Sequence, residues 1–189
     1  GGSASGISTS YFKDALVLIN QTTSNSTQTL QGGSSLYNGL YFDFETSHVP
    51  VNLSDSVNNY RLIIGLSSES GTTNTTDGIF FYYDKYGTGN VGVASNNYLC
   101  VCKIGASITV VDSGILVSTT NPRKLRFEKN NTDTQVKFLI DNVLKATITT
   151  NIPVSLMRKH ISSQKTVGTG SIQNTFDYLY YKSYGKNRI

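Results

Sequence analysis

Tryptophan is absent from this chain of 189 residues, cysteine occurs twice and proline three times, and charged residues make up only 15%. A coiled coil needs far more charged, helix-favouring residues, and a collagen-like chain needs a triplet glycine period that the 17 glycines do not show. The longest apolar runs, at residues 15–19 and 62–64, are much shorter than the roughly 18 residues of a membrane helix. We therefore expect no membrane insertion.

The two cysteines, Cys100 and Cys102, are one residue apart and share a face if their segment is a strand. A disulfide at this spacing would be strained. A zinc site needs more ligands, and the only histidines, His48 and His160, are distant in sequence. A nucleophilic Cys–His pair has no surrounding signature here. We expect two free thiols, no cofactor, and folding in a reducing cytoplasm.

The net charge of +4 is unevenly distributed along the chain. Residues 1–120 contain 4 basic and 8 acidic side chains, whereas residues 121–189 contain 12 basic and 4 acidic ones. The basic residues are spread out and no nucleic-acid-binding motif accompanies them. This pattern favours a solvated polar exterior and predicts no nucleic-acid partner.

Strand signals dominate the sequence, and the best helical candidate, residues 154–160, is short. Asp141-Asn142 separates two alternating apolar runs and predicts a hairpin, so residues 123–149 form a three-stranded meander. Its core-facing candidates are Leu125, Phe127, Val136, Phe138 and Ile140, with Val143 or Leu144. The complete set of predicted strands is 11–19, 36–45, 59–67, 77–84, 90–95, 97–103, 107–111, 123–129, 134–141, 143–149 and 174–184.

The sequence predicts one domain, an antiparallel β-sandwich over residues 11–189 that follows a flexible lead-in over residues 1–10. The segments 20–35 and 67–77 are polar and rich in Gly, Ser, Thr and Asn, which is typical of surface loops. Together with the segment 84–97, these loops are the parts that a rigid scaffold would present for recognition.

Short motifs in a fixed order give the second half of the chain a family resemblance. They run from Asp77-Gly78-Ile79-Phe80-Phe81-Tyr82-Tyr83 through Val110-Val111-Asp112-Ser113-Gly114 and Lys124-Leu125-Arg126-Phe127 to Val136-Lys137-Phe138-Leu139-Ile140-Asp141-Asn142, Thr149-Thr150-Asn151-Ile152-Pro153 and Phe176-Asp177-Tyr178-Leu179-Tyr180-Tyr181. This order resembles the concanavalin A-like lectin/glucanase jelly roll of laminin-G type, in the version found in bacteriophage structural and appendage proteins.

The resemblance implies a non-enzymatic module of a phage tail, fibre or head appendage, located in the virion. Its expected partners are a host-surface glycan or neighbouring virion proteins. Two alternatives stay open: a polysaccharide-degrading enzyme of the same fold, and a purely architectural capsid or tail decoration.

Candidate ligand-binding residues lie at the ends of the predicted strands: Asp77, Tyr82, Asp84, Asn96 and Asn97. With Asn90, the Asp and Asn residues of this set would supply oxygens for a structural calcium ion if they met at one sheet end. Asp and Asn are also ordinary turn residues, so we expect no metal in the first instance.

The enzymatic alternative depends on Asp43 and Glu45, which are two residues apart and share a strand face. Glycoside hydrolysis needs such a pair of carboxylates, one of them acting as an acid. Glucanases of the resembling fold carry a third acid in a pattern like E-x-D-x-x-E, which is missing here.

Tyrosine is abundant, with 12 residues, and suits both sugar stacking and protein interfaces. Tyr178, Tyr180 and Tyr184 share one face of an extended strand, opposite Leu179 and Tyr181. If Leu179 faces the core, the three tyrosines form an interface through which the chain would assemble as a homo-oligomer.

Overall fold

The computed structural model describes residues 8–12, 16–20, 27–31, 41–69, 75–89 and 91–184. Within these ranges the chain is all β, and no helix that could cross a membrane is present. The strands are β1 (Ser8–Phe12), β2 (Leu16–Asn20), β3 (Thr27–Gln31), β4 (Tyr41–Pro50), β5 (Asn59–Ser67), β6 (Gly78–Asp84), β7 (Ser95–Ile104), β8 (Ser107–Leu116), β9 (Arg123–Lys129), β10 (Val136–Ile140), β11 (Val143–Ile148), β12 (Arg158–Val167) and β13 (Ile172–Tyr184).

The strands form two antiparallel sheets. Sheet A has the order β1-β13-β4-β9-β10-β11, with β2 also paired to β13, and sheet B has the order β3-β12-β5-β6-β7-β8. The predicted antiparallel sandwich is therefore confirmed. Strands β8 and β11 are each at an edge of their sheet. These two edges lie on the same side of the sandwich, because Thr109 on β8 and Thr150, just after β11, share a hydrogen bond of 2.7 Å.

The core lies between the sheets and is built by the alternation of side chains along each strand. The rings of Phe44 and Phe127 stack at 5.0 Å, and Phe81 meets Phe138 edge-on at 5.2 Å, which joins the two sheets. The five core residues predicted in the meander are buried, but Val143 and Leu144 are more than half exposed. Ala146 and Ile148 fill the core positions of β11 instead.

The turn at Asp141-Asn142 has φ values of 53° and 64°, as the left-handed positions of a two-residue hairpin require, so this hairpin is confirmed. Cys100 and Cys102 are free and share one face of β7, as predicted, and the structure adds that this face is buried in the core. Burial raises the pKa of the Cys100 thiol to about 12.

Three sequence predictions about segments are wrong, and one strand was not predicted. Residues 27–31 belong to strand β3 rather than to a surface loop. Strand β12 is missing from the predicted set, and the short helical candidate 154–160 leads into it. Residues 91–94 form a connection rather than a strand. Ser8, Thr9 and Ser10 pair with β13, so the predicted lead-in is too long, while its residues 1–7 lie outside the described ranges.

One end of the sandwich, here called the loop end, carries the connections 51–58, 85–94, 117–122, 141–142 and 168–171. Asn59 and Val167 are neighbours there, as are Arg61 and Asp84. Nine of the twelve exposed large hydrophobic side chains lie at this end, which makes it the most apolar exposed part of the described chain: Val51, Leu53, Val57, Tyr86, Val93, Leu116, Val143, Leu144 and Val167.

Candidate functional site

Asp84 is the last residue of β6 and is fully buried. Its carboxylate accepts hydrogen bonds from the backbone N–H groups of Tyr86 at 3.1 Å, Gly87 at 3.0 Å and Gly89 at 2.8 Å. The Tyr82 hydroxyl donates a further bond at 3.2 Å. These donors use both carboxylate oxygens, so Asp84 holds the start of the 85–94 connection and is not directed at solvent.

The 85–94 connection folds back over the outer face of sheet B, the face turned away from sheet A. Val91 is buried there, within a second apolar cluster that is separate from the main core. At Gly89 an added Cβ would collide with the Tyr82 hydroxyl, so glycine is needed where the connection crosses that ring. The other buried members of this outer cluster are Ile63, Phe80, Tyr82, Leu99 and Val101.

Tyr82 is consequently covered by the chain's own connection. Burial, together with the neighbouring Asp84 carboxylate, raises the pKa of its phenol well above the ordinary value. Beside it, the Arg61 guanidinium donates a bond of 2.7 Å to Gln164 on β12, and both of these side chains are half-buried. A ligand at the loop end would contact the polar side chains of Arg61 and Gln164 before it reached the Tyr82 ring.

A second polar group lies at the same end, where β7 begins. Asn97 donates a side-chain bond of 2.8 Å to Asp112, and the Ser95 hydroxyl donates one of 2.9 Å. Partial burial alone would raise the pKa of Asp112, but the bonds from the Gly114 N–H, Asn97 and Ser95 together lower it. Asn96, the next residue along β7, is exposed, so the loop end offers both an ionised carboxylate and an exposed amide.

Asp77 lies at the opposite end of the sandwich. It precedes β6 and accepts the Gly105 N–H at 2.9 Å, while Asp84 ends the same strand about 23 Å away at the usual rise per residue. Asp77 therefore does not meet the condition for the calcium alternative, that these acids and amides come together at one sheet end, and Asn90 lies outside the described residues. The described chain contains no group of three His, Cys, Asp or Glu side chains arranged to hold a metal ion.

Tyr86 is the exposed aromatic residue of the loop end, with 43% of its surface accessible. The Lys85 ammonium lies 5.6 Å from the centre of its ring and donates a hydrogen bond of 3.1 Å to the Ser54 carbonyl. That bond ties the 85–94 connection to the 51–58 connection. The ring is thus displayed on a loop that is anchored at Asp84 and at Ser54.

Asp43 and Glu45 lie on the outer face of sheet A, and each is paired with a cation. Arg126 binds Asp43 through two parallel hydrogen bonds of 2.9 Å and also contacts Glu128 at 2.6 Å. Glu45 contacts the Lys124 ammonium at 3.0 Å and accepts a bond of 2.8 Å from the Tyr178 hydroxyl. Both carboxylates are therefore occupied by cations and hydrogen-bond donors of the chain itself.

The tyrosine face of β13 is placed as the sequence predicts, with Leu179 and Tyr181 in the core and Tyr178 and Tyr180 half-buried on the outer side. However, β13 lies inside sheet A, between β4 and the strands β1 and β2. Burial and the Glu45 carboxylate raise the pKa of Tyr178. The side chain of Tyr184 lies outside the described residues, and an interface here stays a prediction.

Sequence reasoning overlooked Tyr86 and Asp112. The run Asp84-Lys85-Tyr86-Gly87 contains a usable signal, because an Asp followed by Gly in a turn displays the two residues between them. Asp112 also precedes a glycine, in Asp112-Ser113-Gly114, but its partners Ser95 and Asn97 lie on a neighbouring strand and leave no local pattern.

Comparisons with known proteins identify the architecture and no family. No protein-family model and no curated sequence matches the chain. Among solved structures it is similar to the metal-free carbohydrate recognition domain of Emp46p, with 11% identity, a TM-score of 0.58, and coverage of 95% of this chain and 89% of that one. The β-glucanase of Bacillus licheniformis gives 15% identity and 0.59, covering 92% and 79%.

Alginate lyase AlyC3 in complex with dimannuronate gives 10% identity and a TM-score of 0.64, covering 92% of this chain and 76% of the lyase. At such low identity these likenesses concern the fold. They confirm the predicted concanavalin-like jelly roll, an architecture that this chain shares with lectin domains, glucanases and a lyase.

Proposed function

We propose that this chain is a carbohydrate-binding module without hydrolytic activity, and that it binds glycans at the loop end. The observation that carries this proposal is Tyr86, an exposed ring on a loop anchored by Asp84 and Ser54. An aromatic ring with a polar tip suits the mixed apolar and hydroxyl surface of a sugar. Asn96, Asn97 and Asp112 lie at the same end and supply donors and acceptors for sugar hydroxyls.

The loop is ordered by its own hydrogen bonds, so a ligand would not have to bear the entropic cost of ordering it. Nine exposed hydrophobic side chains surround it, and the charges at this end, such as Lys85, Asp112 and the Arg123–Asp141 pair, already have partners within the chain. Both properties favour recognition by shape and stacking over attraction of a charged ligand. Among the initial candidates, Asn96 and Asn97 keep a proposed binding role, whereas Asp84 and Tyr82 act beneath the surface and Asp77 lies far away.

The partners of the acid pair argue against hydrolysis. The Arg126 guanidinium binds both oxygens of Asp43, and Lys124 and Tyr178 contact the two oxygens of Glu45. A substrate would have to displace these partners before either carboxylate could act on a glycosidic bond. If Glu45 nevertheless acted as a catalyst, a purified chain with measured polysaccharide breakdown would lose it on Glu45→Gln.

The biological setting that we propose is the one implied by the sequence resemblance, an appendage of a phage particle that attaches to a host-surface glycan. The composition, poor in charge and rich in Asn, Ser, Thr and Tyr, supports a β-domain of this kind. A module that only decorates a capsid or tail would instead bind another virion protein at the loop end and no free sugar.

A glycan array tests the proposal directly, with the wild-type chain, Tyr86→Ala and Tyr41→Ala. Tyr41 is the matched control, because it lies at the start of β4, at the opposite end of the sandwich. We expect saturable binding that Tyr86→Ala abolishes and Tyr41→Ala keeps, with the same result in calcium and in chelator. A blank array at high protein concentration would contradict glycan binding and favour the architectural alternative.

A further inference from the structure

We propose that the chain forms a dimer in which the edge strand β8 pairs antiparallel with β8 of a second copy, so that sheet B continues across a two-fold axis. Strand β8 ends sheet B, and its inner neighbour is β7. No backbone hydrogen bond joins its outward edge to any other segment that the structure describes. The pairing is expected along its first six residues, 107–112.

The composition of this edge favours strand pairing. Ile108, Thr109, Val110 and Val111 are consecutive β-branched residues, which pair well across strands. Exposed edges are commonly blunted by lysine, proline or bulges, and residues 107–112 contain neither lysine nor proline. A bulge does occur further along, around Gly114 with φ 69°, and it limits regular pairing to the first part of the strand.

A second copy of the chain can pair with this edge, because a strand that pairs with itself needs no partner of a different, complementary sequence. An antiparallel pair whose two-fold axis passes through Thr109 places Ile108 opposite Val110 of the second copy, and Ser107 opposite Val111. The one charged side chain of the row, Asp112, already accepts bonds from Ser95, Asn97 and the Gly114 N–H. Two copies therefore would not bring unpaired carboxylates together.

The size of the surface is also suitable. The edges of both sheets lie together on this side, since Thr109 on β8 bonds with Thr150 and Asn151, which follow β11. A ten-residue strand is about 33 Å long and two stacked sheets are about 20 Å across with their side chains, so this side projects on the order of 650 Å² per copy. A standard interface buries about 800 Å² per partner.

Exposed hydrophobic side chains continue the surface beyond the paired segment. Leu116 at the end of β8 is 61% exposed, and Val143 and Leu144 at the start of β11 are 54% and 53% exposed. These side chains are unusual for an exterior and would lose water on association. Because the two β8 strands run in opposite directions, the two loop ends of the dimer would point away from each other.

Sedimentation equilibrium of the full chain between about 1 and 200 μM is the first test, and we expect a monomer–dimer equilibrium across the micromolar affinity scale. Val110→Lys should shift the midpoint by tenfold or more, because it sets two ammonium groups across the axis. Ser171→Lys, on the exposed 168–171 connection, adds the same charge elsewhere and should leave the equilibrium unchanged. A chain that stays monomeric throughout would overturn the proposal, as would a dimer that both variants leave intact.

A cross-linking experiment decides the case in which Val110→Lys fails to fold. Val110→Cys is treated with a short bismaleimide, which spans the residue pair whether the axis passes through Val110 or one residue away. The native thiols contribute no background, because both are buried in the core. We expect a covalent dimer from Val110→Cys and none from Ser171→Cys. A covalent dimer from Ser171→Cys only, or from neither variant, would contradict self-pairing through β8. No dimer from either variant is also the result expected if β8 pairs instead with a strand of a different protein.

Discussion

The carboxylate of Asp84 lies 2.8 Å from the backbone N–H of Gly89, five residues further along the chain. This bond closes the beginning of the 85–94 connection into a compact turn, and the same carboxylate accepts the N–H groups of Tyr86 and Gly87. The exposed ring of Tyr86 is therefore positioned by a buried acid that no ligand touches. The position of Tyr86 in the proposed site therefore depends on the hydrogen bonds that the Asp84 carboxylate accepts.

Asp84→Ala should destabilise the fold and disorder the proposed site. It leaves several backbone donors without an acceptor, and bonds to charged groups contribute about 1.5–3 kcal/mol each, so we expect a loss of about 2–4 kcal/mol in urea unfolding. Asp77→Ala is the control, because only one N–H bond to a half-buried carboxylate is at stake and the loss should be no more than about 1.5 kcal/mol. Equal losses in the two variants would contradict this role.

Gly89→Ala should lift the 85–94 connection off the outer face of sheet B, because the new methyl group meets the Tyr82 hydroxyl. We expect faster proteolysis within the connection and lower stability. Tyr82→Phe removes the colliding oxygen, so the double variant should regain part of the loss. Strictly additive effects of the two substitutions would show that the ring and the glycine are not in contact.

The stability of the fold should depend on the protonation of His48. Its ring is buried, with Nε2 donating to Asn174 at 3.1 Å and Nδ1 accepting from the Tyr98 hydroxyl at 2.8 Å, and desolvation by burial lowers its pKa to about 4. Between pH 6.5 and 4 the unfolded chain takes up this proton and the folded chain does not. The contribution is therefore complete above pH 6.5 and is lost towards pH 4.

A His48 pKa that folding lowers from 6.5 to about 4 corresponds to a contribution of about 3 kcal/mol to the free energy of unfolding. Urea unfolding measured from pH 4 to 7 should show the loss in the wild-type chain, and His48→Gln should flatten it although it lowers stability overall. A wild-type profile that is as flat as that of His48→Gln would contradict the assignment.

The two thiols should be inert until the chain unfolds. Both lie in the core, and burial raises the pKa of Cys100 to about 12, so little thiolate is present at neutral pH. A disulfide reagent such as DTNB should titrate no thiol in the native chain and two in urea. Fast reaction of either thiol in the native state would show that the core around β7 opens.

The sequence was sufficient for the architecture where strand alternation is regular, as in β9, β10 and the Asp141-Asn142 hairpin. It was insufficient for β12, whose buried side includes Lys159 and Lys165 and therefore shows no apolar period. Lys159 is tolerated inside because its ammonium lies 3.9 Å from the centre of the Tyr181 ring on the opposite sheet. A contact between sheets of this kind leaves no local signal.

The sequence predicted only part of the candidate site, because here too the decisive contacts join residues that are not neighbours in sequence. Asp77 and Asp84 are both acids at the boundary of one strand, and their sequence patterns do not show that one supports a recognition loop and the other a turn at the far end. The hydrogen bonds that distinguish them connect residues 5 and 28 positions apart. Asn96 and Asn97 lie near the 85–94 connection because they follow it closely in sequence, and their binding role stays a prediction.

Glycan binding at the loop end is tested most directly by NMR, with a ¹⁵N-labelled chain titrated with the strongest sugar found on an array. We predict saturable shifts of the amides of residues 51–58, 85–89 and 91–97, which disappear in Tyr86→Ala. Shifts centred instead on Asp43, Glu45 and Arg126, on the outer face of sheet A, would contradict the proposed site and direct attention back to the acid pair.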